Sequence, residues 1–175
     1  MIPDLQRVLA PGYLAGLADA PRNDLRGMRR ECTDLENGVS FVRRLAQGRL
    51  DVIVAETERR ADGGGGDLAD LVARLPELLS DGVRAPGSGR VEQELDPPDA
   101  VVNPLTEVLD AAVGPSIMTE VAELGNDELS AAIIALRNFE EQLSTSRRSL
   151  HNTIDALNDE LARRIAAGET PTAPT

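Results

Sequence analysis

The sequence predicts an all-α chain: a long antiparallel coiled-coil helical hairpin with a shorter middle helix and a flexible linker. Three observations predict it. Leu136, Leu143, Leu150 and Leu157 recur at intervals of seven, with Phe139, Ile154 and Leu161 on the same side of a helix. Leu35, Val39, Val42, Ala46, Leu50 and Ile53 form a matching seam earlier in the chain. The apolar residues are mostly Leu, Val, Ala and Ile, with two Phe, one Tyr and no Trp, a set that fills narrow seams between helices better than a thick core.

Residues 1–22 read as an N-terminal flexible segment. The first long helix is expected over 23–61: Asn23 or Asp24 can accept backbone N–H bonds at its start, and Arg59 and Arg60 suit the negative end of its dipole. Asp62 and the run Gly63 to Gly66 stop it. That run lacks the preceding strand and the lysine of a phosphate loop, so it reads as a turn. Asp67 caps a middle helix over 67–82, in which Pro76 kinks the run and Gly82 ends it. Residues 83–104 turn to Pro, Gly and acid, with Pro97 and Pro98 adjacent, and read as a linker. Residues 105–125 make short helical turns interrupted at Gly114 and Pro115. The second long helix covers 126–167, and 168–175 form a disordered tail.

Composition narrows the function. All 18 basic residues are Arg; without lysine there is no Walker lysine and no Schiff-base chemistry. A net charge of −12 argues against a non-specific grip on nucleic acid or anionic lipid and suits a basic protein partner. Cys32, the lone cysteine, has no internal disulfide partner and is expected as a small buried side chain; Cys and His are too few for a metal cluster. The first residues lack a basic start followed by an apolar run, and no stretch approaches a membrane span, so the chain is expected in the cytoplasm.

One polar pattern occurs twice, 104 residues apart: Glu36, Ser40, Arg43, Gln47, Asp51 and Glu140, Ser144, Arg147, His151, Asp155. The steps of 4, 3, 4 and 4 place each set within a stripe about 80° wide on one helix face. Each stripe borders an apolar seam. In an antiparallel hairpin the obvious register sets the two stripes opposite each other, with Glu36 near Asp155 and Asp51 near Glu140, around an approximate two-fold axis. A two-fold ligand fits such a site. Arg offers a planar fork for phosphate or for the O6 and N7 edge of guanine and can stack on a purine. Asp and Glu accept from the N1–H and N2 amine of guanine, while Ser, Gln and His add short hydrogen bonds. A two-fold guanine nucleotide satisfies all of these groups.

The frame E-x3-S-x2-R-x3-Q-x3-D, present on both arms of a hairpin, resembles the signature of the RsiG family of anti-sigma factors. All five positions match in the first copy; in the second, His151 stands in place of Gln. The resemblance implies that the ten residues bind cyclic di-GMP as a regulatory ligand, without a metal. It also implies that the loaded protein sequesters the sporulation sigma factor WhiG, with no direct contact to nucleic acid or membrane. Leu68, Leu71, Leu75, Leu78 and Leu79 are expected to form part of the partner surface, because so apolar a helix needs covering. Two other classes stand beside this one. A ligand-independent coiled-coil adaptor would leave both stripes solvated. An enzyme has little support from one His, no metal cluster and polar groups on a shallow face.

Overall fold

The computed structural model describes residues 2–63 and 97–168. Every regular element among them is an α-helix: α1 (Pro3–Val8), α2 (Arg22–Ala61), α3 (Asp99–Ala112), α4 (Ser116–Glu120) and α5 (Asn126–Ala166). The expected middle helix at 67–82 lies outside the described residues, and Leu68, Leu71, Leu75, Leu78 and Leu79 with it. No helix among the described residues is long and apolar enough to cross a membrane.

The two long helices, α2 and α5, have 40 and 41 residues, and their ends follow helix electrostatics. Acids occupy the first turns (Asp24; Asp127 and Glu128) and arginines the last (Arg59 and Arg60; Arg163 and Arg164), matching the dipole at both ends. Just beyond each C-terminus a glycine adopts the left-handed conformation, Gly63 at φ 90° and Gly168 at φ 81°. That region is costly for residues with a Cβ, which is why the helices stop there.

The described residues divide into two compact units, residues 2–41, 97–105 and 143–168, and residues 42–63 and 106–142. In the first, the N-terminal half of α2 runs antiparallel to the C-terminal half of α5, as contacts from Arg29 to Asn158 and from Glu36 to Arg147 show. Leu25, Cys32, Leu35, Val39, Leu143, Leu150, Leu157 and Leu161 are buried along this pair. In the second unit, Val42, Ala46 and Ile53 of α2 and Leu129, Ala132, Leu136 and Phe139 of α5 are buried in the same way. Both seams therefore hold the residues that the heptad pattern selects, with Leu50 and Ile154 only half-buried.

Two expectations are corrected. Residues 1–22 are not a flexible segment: α1 lies there, and Ile2, Leu5 and Val8 are buried. These three apolar residues recur every third position, and Pro3 is pre-set for a first helical turn, so one face of a short helix has something to bury. Arg7 and Tyr13 fasten the segment to Glu31 of α2. Nor does the linker reach residue 104, since α3 begins at Asp99 and carries Pro104 within it. Pro97 and Pro98 precede the helix instead of interrupting it, and the Pro98 carbonyl accepts from Val101 and Val102 N–H. In the second unit, Arg49 donates to Asp110 at 2.6 Å and to the Val113 carbonyl, closing the C-terminal end of α3.

Gly38 sets how closely α3 approaches α2 in the first unit. A Cβ at that position would lie 2.4 Å from Cγ1 and 2.9 Å from Cβ of Val101, closer than packed carbons allow. Gly38→Ala is therefore expected to lose about 1–2 kcal/mol in urea denaturation, because overpacking outweighs the roughly 1 kcal/mol that alanine gains in helix propensity. Equal or higher stability would mean that Val101 moves aside freely.

Candidate ligand-binding site

The ten stripe residues fall into two clusters, one in each unit, and each motif copy contributes to both. In the first unit, Glu36 and Ser40 on α2 meet Arg147 and His151 on α5. Arg147 Nε donates to Glu36 Oε1 at 2.9 Å, Ser40 Oγ donates to the same oxygen at 2.7 Å, and His151 Nε2 lies 3.3 Å from it. Burial pushes the Glu36 carboxyl up, but the bonds from Ser40 and Arg147 outweigh it and hold the group below the usual carboxylate range. Ser144 is half-buried on the same face of α5, and Asp155 is exposed.

In the second unit the roles of the two helices are exchanged. Glu140 on α5 accepts from Arg43 Nη1 at 3.0 Å and from Gln47 Nε2 at 3.2 Å, both on α2. Asp51, one turn beyond Gln47, is half-buried, and that burial alone raises its carboxyl above the usual range. Arg43 Nε is buried without an acceptor. This unit thus holds a carboxylate with no donor to offset its burial and a guanidinium with an unused donor, two groups that a bound ligand would satisfy.

Each cluster has one design: a Glu from one long helix, gripped by an Arg and by a Gln or His one turn further along the other. His151 occupies in the first unit the place that Gln47 has in the second, beside the opposite Glu. His151→Gln is therefore expected to leave ligand affinity unchanged or to tighten it, since an amide makes the same bond in the other cluster. A large loss in a titration would mean that the imidazole itself has a specific role. No group of three or more His, Cys, Asp and Glu among the described residues is placed to hold a metal ion.

The pairing corrects the expected register. Where Glu36 is expected near Asp155 and Glu140 near Asp51, each Glu instead pairs with the Arg about two turns closer to the N-terminus of the opposite helix. The expected register sets carboxylate against carboxylate in both units. The observed one sets carboxylate against guanidinium, exchanging repulsion for an ion pair shielded from solvent over most of its surface.

Sequence reasoning also missed a second repeated group. Glu56, Arg59 and Arg60 recur at the same spacing of 104 residues as Glu160, Arg163 and Arg164. In the second unit Glu56 accepts from Arg59 and Arg60, and Arg60 reaches the carbonyls of Val121, Ala122 and Leu124. In the first, Glu160 accepts from Arg163 and Arg164, and Arg164 reaches the carbonyls of Leu17, Ala18 and Ala20. The signal was present in the sequence as a continuation of the repeat, but Arg59 and Arg60 read there only as helix-end charges.

A family model described as RsiG-like matches residues 11–79 and 115–175. Those stretches cover most of the chain and include both motif copies and both Glu-Arg-Arg groups, and the chain belongs to the RsiG-like family. Comparison with curated protein sequences finds no match.

Proposed function

We propose that this RsiG-like chain is an anti-sigma factor that binds cyclic di-GMP through the ten stripe residues and, once loaded, sequesters a sporulation sigma factor of the WhiG type. Family membership supports a regulator of the anti-sigma class. The observation that carries the ligand reading is the repetition of one cluster in both units: Glu36 with Arg147 and His151, and Glu140 with Arg43 and Gln47. Each set offers a guanine the same kinds of partner.

Guanine suits a Glu–Arg pair in particular. Its N1–H and N2 amine form a donor pair for the carboxylate, and its O6 and N7 form an acceptor pair for the guanidinium. A guanine entering between them replaces the partner that each loses, so neither charge is left unpaired. The half-buried Asp51 and the unused Nε of Arg43 add further groups that gain by binding. Internal ion pairs join the two helices in each cluster, and in this reading the nucleotide takes their place.

A second reading rests on the same ion pairs. Because each Glu already has its Arg, a ligand-independent coiled-coil adaptor would be electrostatically complete. Calorimetric titration with cyclic di-GMP, alone and with a candidate sporulation sigma factor, separates the two. Saturable binding that strengthens with the sigma factor is the expected result. The adaptor is left if neither mixture gives heat while circular dichroism shows folded helices.

A further inference from the structure

Each unit contains an arginine whose guanidinium is spent on backbone carbonyls. Arg164 is only 6% exposed; it donates to the carbonyls of Leu17, Ala18 and Ala20 at 3.0, 2.9 and 2.6 Å, and its Nε donates to Glu160 at 2.7 Å. Arg60 donates to the carbonyls of Val121, Ala122 and Leu124 at 3.2, 3.0 and 2.7 Å, and its Nε donates to Glu56 at 2.7 Å. The arginines, the glutamates and all three carbonyls correspond at the spacing of 104 residues. In both units the clamp ties the last turn of one long helix to the segment leading into the other.

A heptad seam does not select its own register. Leu136, Leu143, Leu150 and Leu157 are interchangeable after a slip of seven residues, so apolar packing loses little when one helix slides by that much. The clamps do not slide. A slip of one heptad is about 10 Å along the axis, enough to strip a buried guanidinium of its three carbonyls. An exposed i, i+4 pair of Glu and Arg would serve helix stability without any of these carbonyl bonds.

We infer that Arg60 and Arg164, each held by its Glu, are positioning residues that set the register of the long helices and so decide which Glu meets which Arg in each cluster. Arg164 sets the Glu36–Arg147 pairing in the first unit, and Arg60 sets the Arg43–Glu140 pairing in the second. The consequence for nucleotide affinity rests on the function proposed above; the register itself does not.

Distances between spin labels test it in the first unit. In a Cys32→Ala background, labels attached through Asp34→Cys and Asp159→Cys sit on the two long helices at exposed positions. The parent is expected to give one narrow distance distribution. Arg164→Ala is expected to shift it or add a second population displaced by a helical turn or more, about 5 Å, whereas Arg163→Ala, at the exposed arginine beside it, leaves it unchanged. If Arg164→Ala does not fold, Arg164→Lys keeps the charge without the planar fork and is read the same way. A single unchanged distance in a folded Arg164 variant of lower melting temperature would overturn the inference, since the bonds would then only stabilise. In the parent-binds case, Arg164→Lys is also expected to weaken cyclic di-GMP at least tenfold. A parent that binds no nucleotide defeats the proposed function, while the distances still decide the register.

Discussion

Replacing Arg43 and Arg147 together with Ala is expected to abolish measurable cyclic di-GMP binding while the protein stays folded. Both arginines are engaged in ion pairs, Arg43 with Glu140 and Arg147 with Glu36. Their partners are cushioned, however: Glu140 keeps Gln47, and Glu36 keeps Ser40 and His151. The pairs are also partly open to water, with Arg147 38% and Arg43 21% exposed, so each deletion is expected to cost stability only about 1 kcal/mol. The loss on the ligand side is larger. A charge-assisted fork to a purine edge or phosphate contributes about 1.5–3 kcal/mol, and two of them amount to roughly a hundredfold to ten-thousandfold in affinity. Calorimetry of the double variant, with circular dichroism and thermal melting on the same sample, measures both sides. Affinity within threefold of the parent would remove the arginines from the site and return the chain to the adaptor reading.

What was legible in the sequence, and what was not, follows from the range of the forces involved. The two stripes and two seams were legible because a helix turns polarity into periodicity, and Gly63 and Gly168 mark its ends locally. The register was not, because a seam of leucines at sevens accepts several alignments, and matching one motif copy to the other keeps the two-fold relation in every one of them. The ion pairs of Glu36 with Arg147 and of Glu140 with Arg43 depend on residues about a hundred positions apart in a chain whose local pattern is indifferent to which pairing wins. α1 escaped notice for a different reason: six residues have no propensity to stand alone, and only burial of Ile2, Leu5 and Val8 gives them a reason to be helical. The clamps combine both difficulties, since their acceptors are backbone carbonyls, which no side-chain pattern advertises.

The site and the clamps are therefore two uses of one chemistry. In the clusters, Glu and Arg come from opposite helices, and in the proposed function a ligand parts them. In the clamps, Glu and Arg come from the same helix and the guanidinium is committed to backbone, so the pair is not available for exchange. In the proposed function the same two residue types serve as a gate where they pair across the two helices, and as a fixture where the guanidinium is committed to backbone carbonyls.

Glu56→Ala is expected to destabilise the second unit as strongly as the loss of a buried core side chain. The Glu56 side chain has no exposed surface and takes hydrogen bonds from Arg59 Nε at 2.7 Å, Arg59 Nη2 at 2.8 Å and Arg60 Nε at 2.7 Å. Removing it leaves two guanidinium groups, both mostly shielded, without their counter-charge, at about 3 kcal/mol, the lower end for breaking a buried pair. The same residue makes a pH prediction with a definite sign. The bonds from Arg59, set against burial and aided by Arg60, bring the Glu56 carboxyl down to about 2 from its ordinary 4.5. A carboxyl lower in the folded than in the unfolded chain binds fewer protons when folded, so its contribution is complete above about pH 4.5 and is lost as the pH falls toward 2. Glu160, brought to about 2 by Arg163 and Arg164, acts in the same direction, while Asp51, raised by burial, opposes both. Glu56→Gln keeps the shape and removes the charge. Chemical denaturation at a series of pH values should show the parent losing stability between pH 4.5 and 2 and the Gln variant losing distinctly less. Identical slopes would mean that the ion pair forms equally well in the unfolded chain, and that the clamp is held by the carbonyl bonds of Arg60 without help from Glu56.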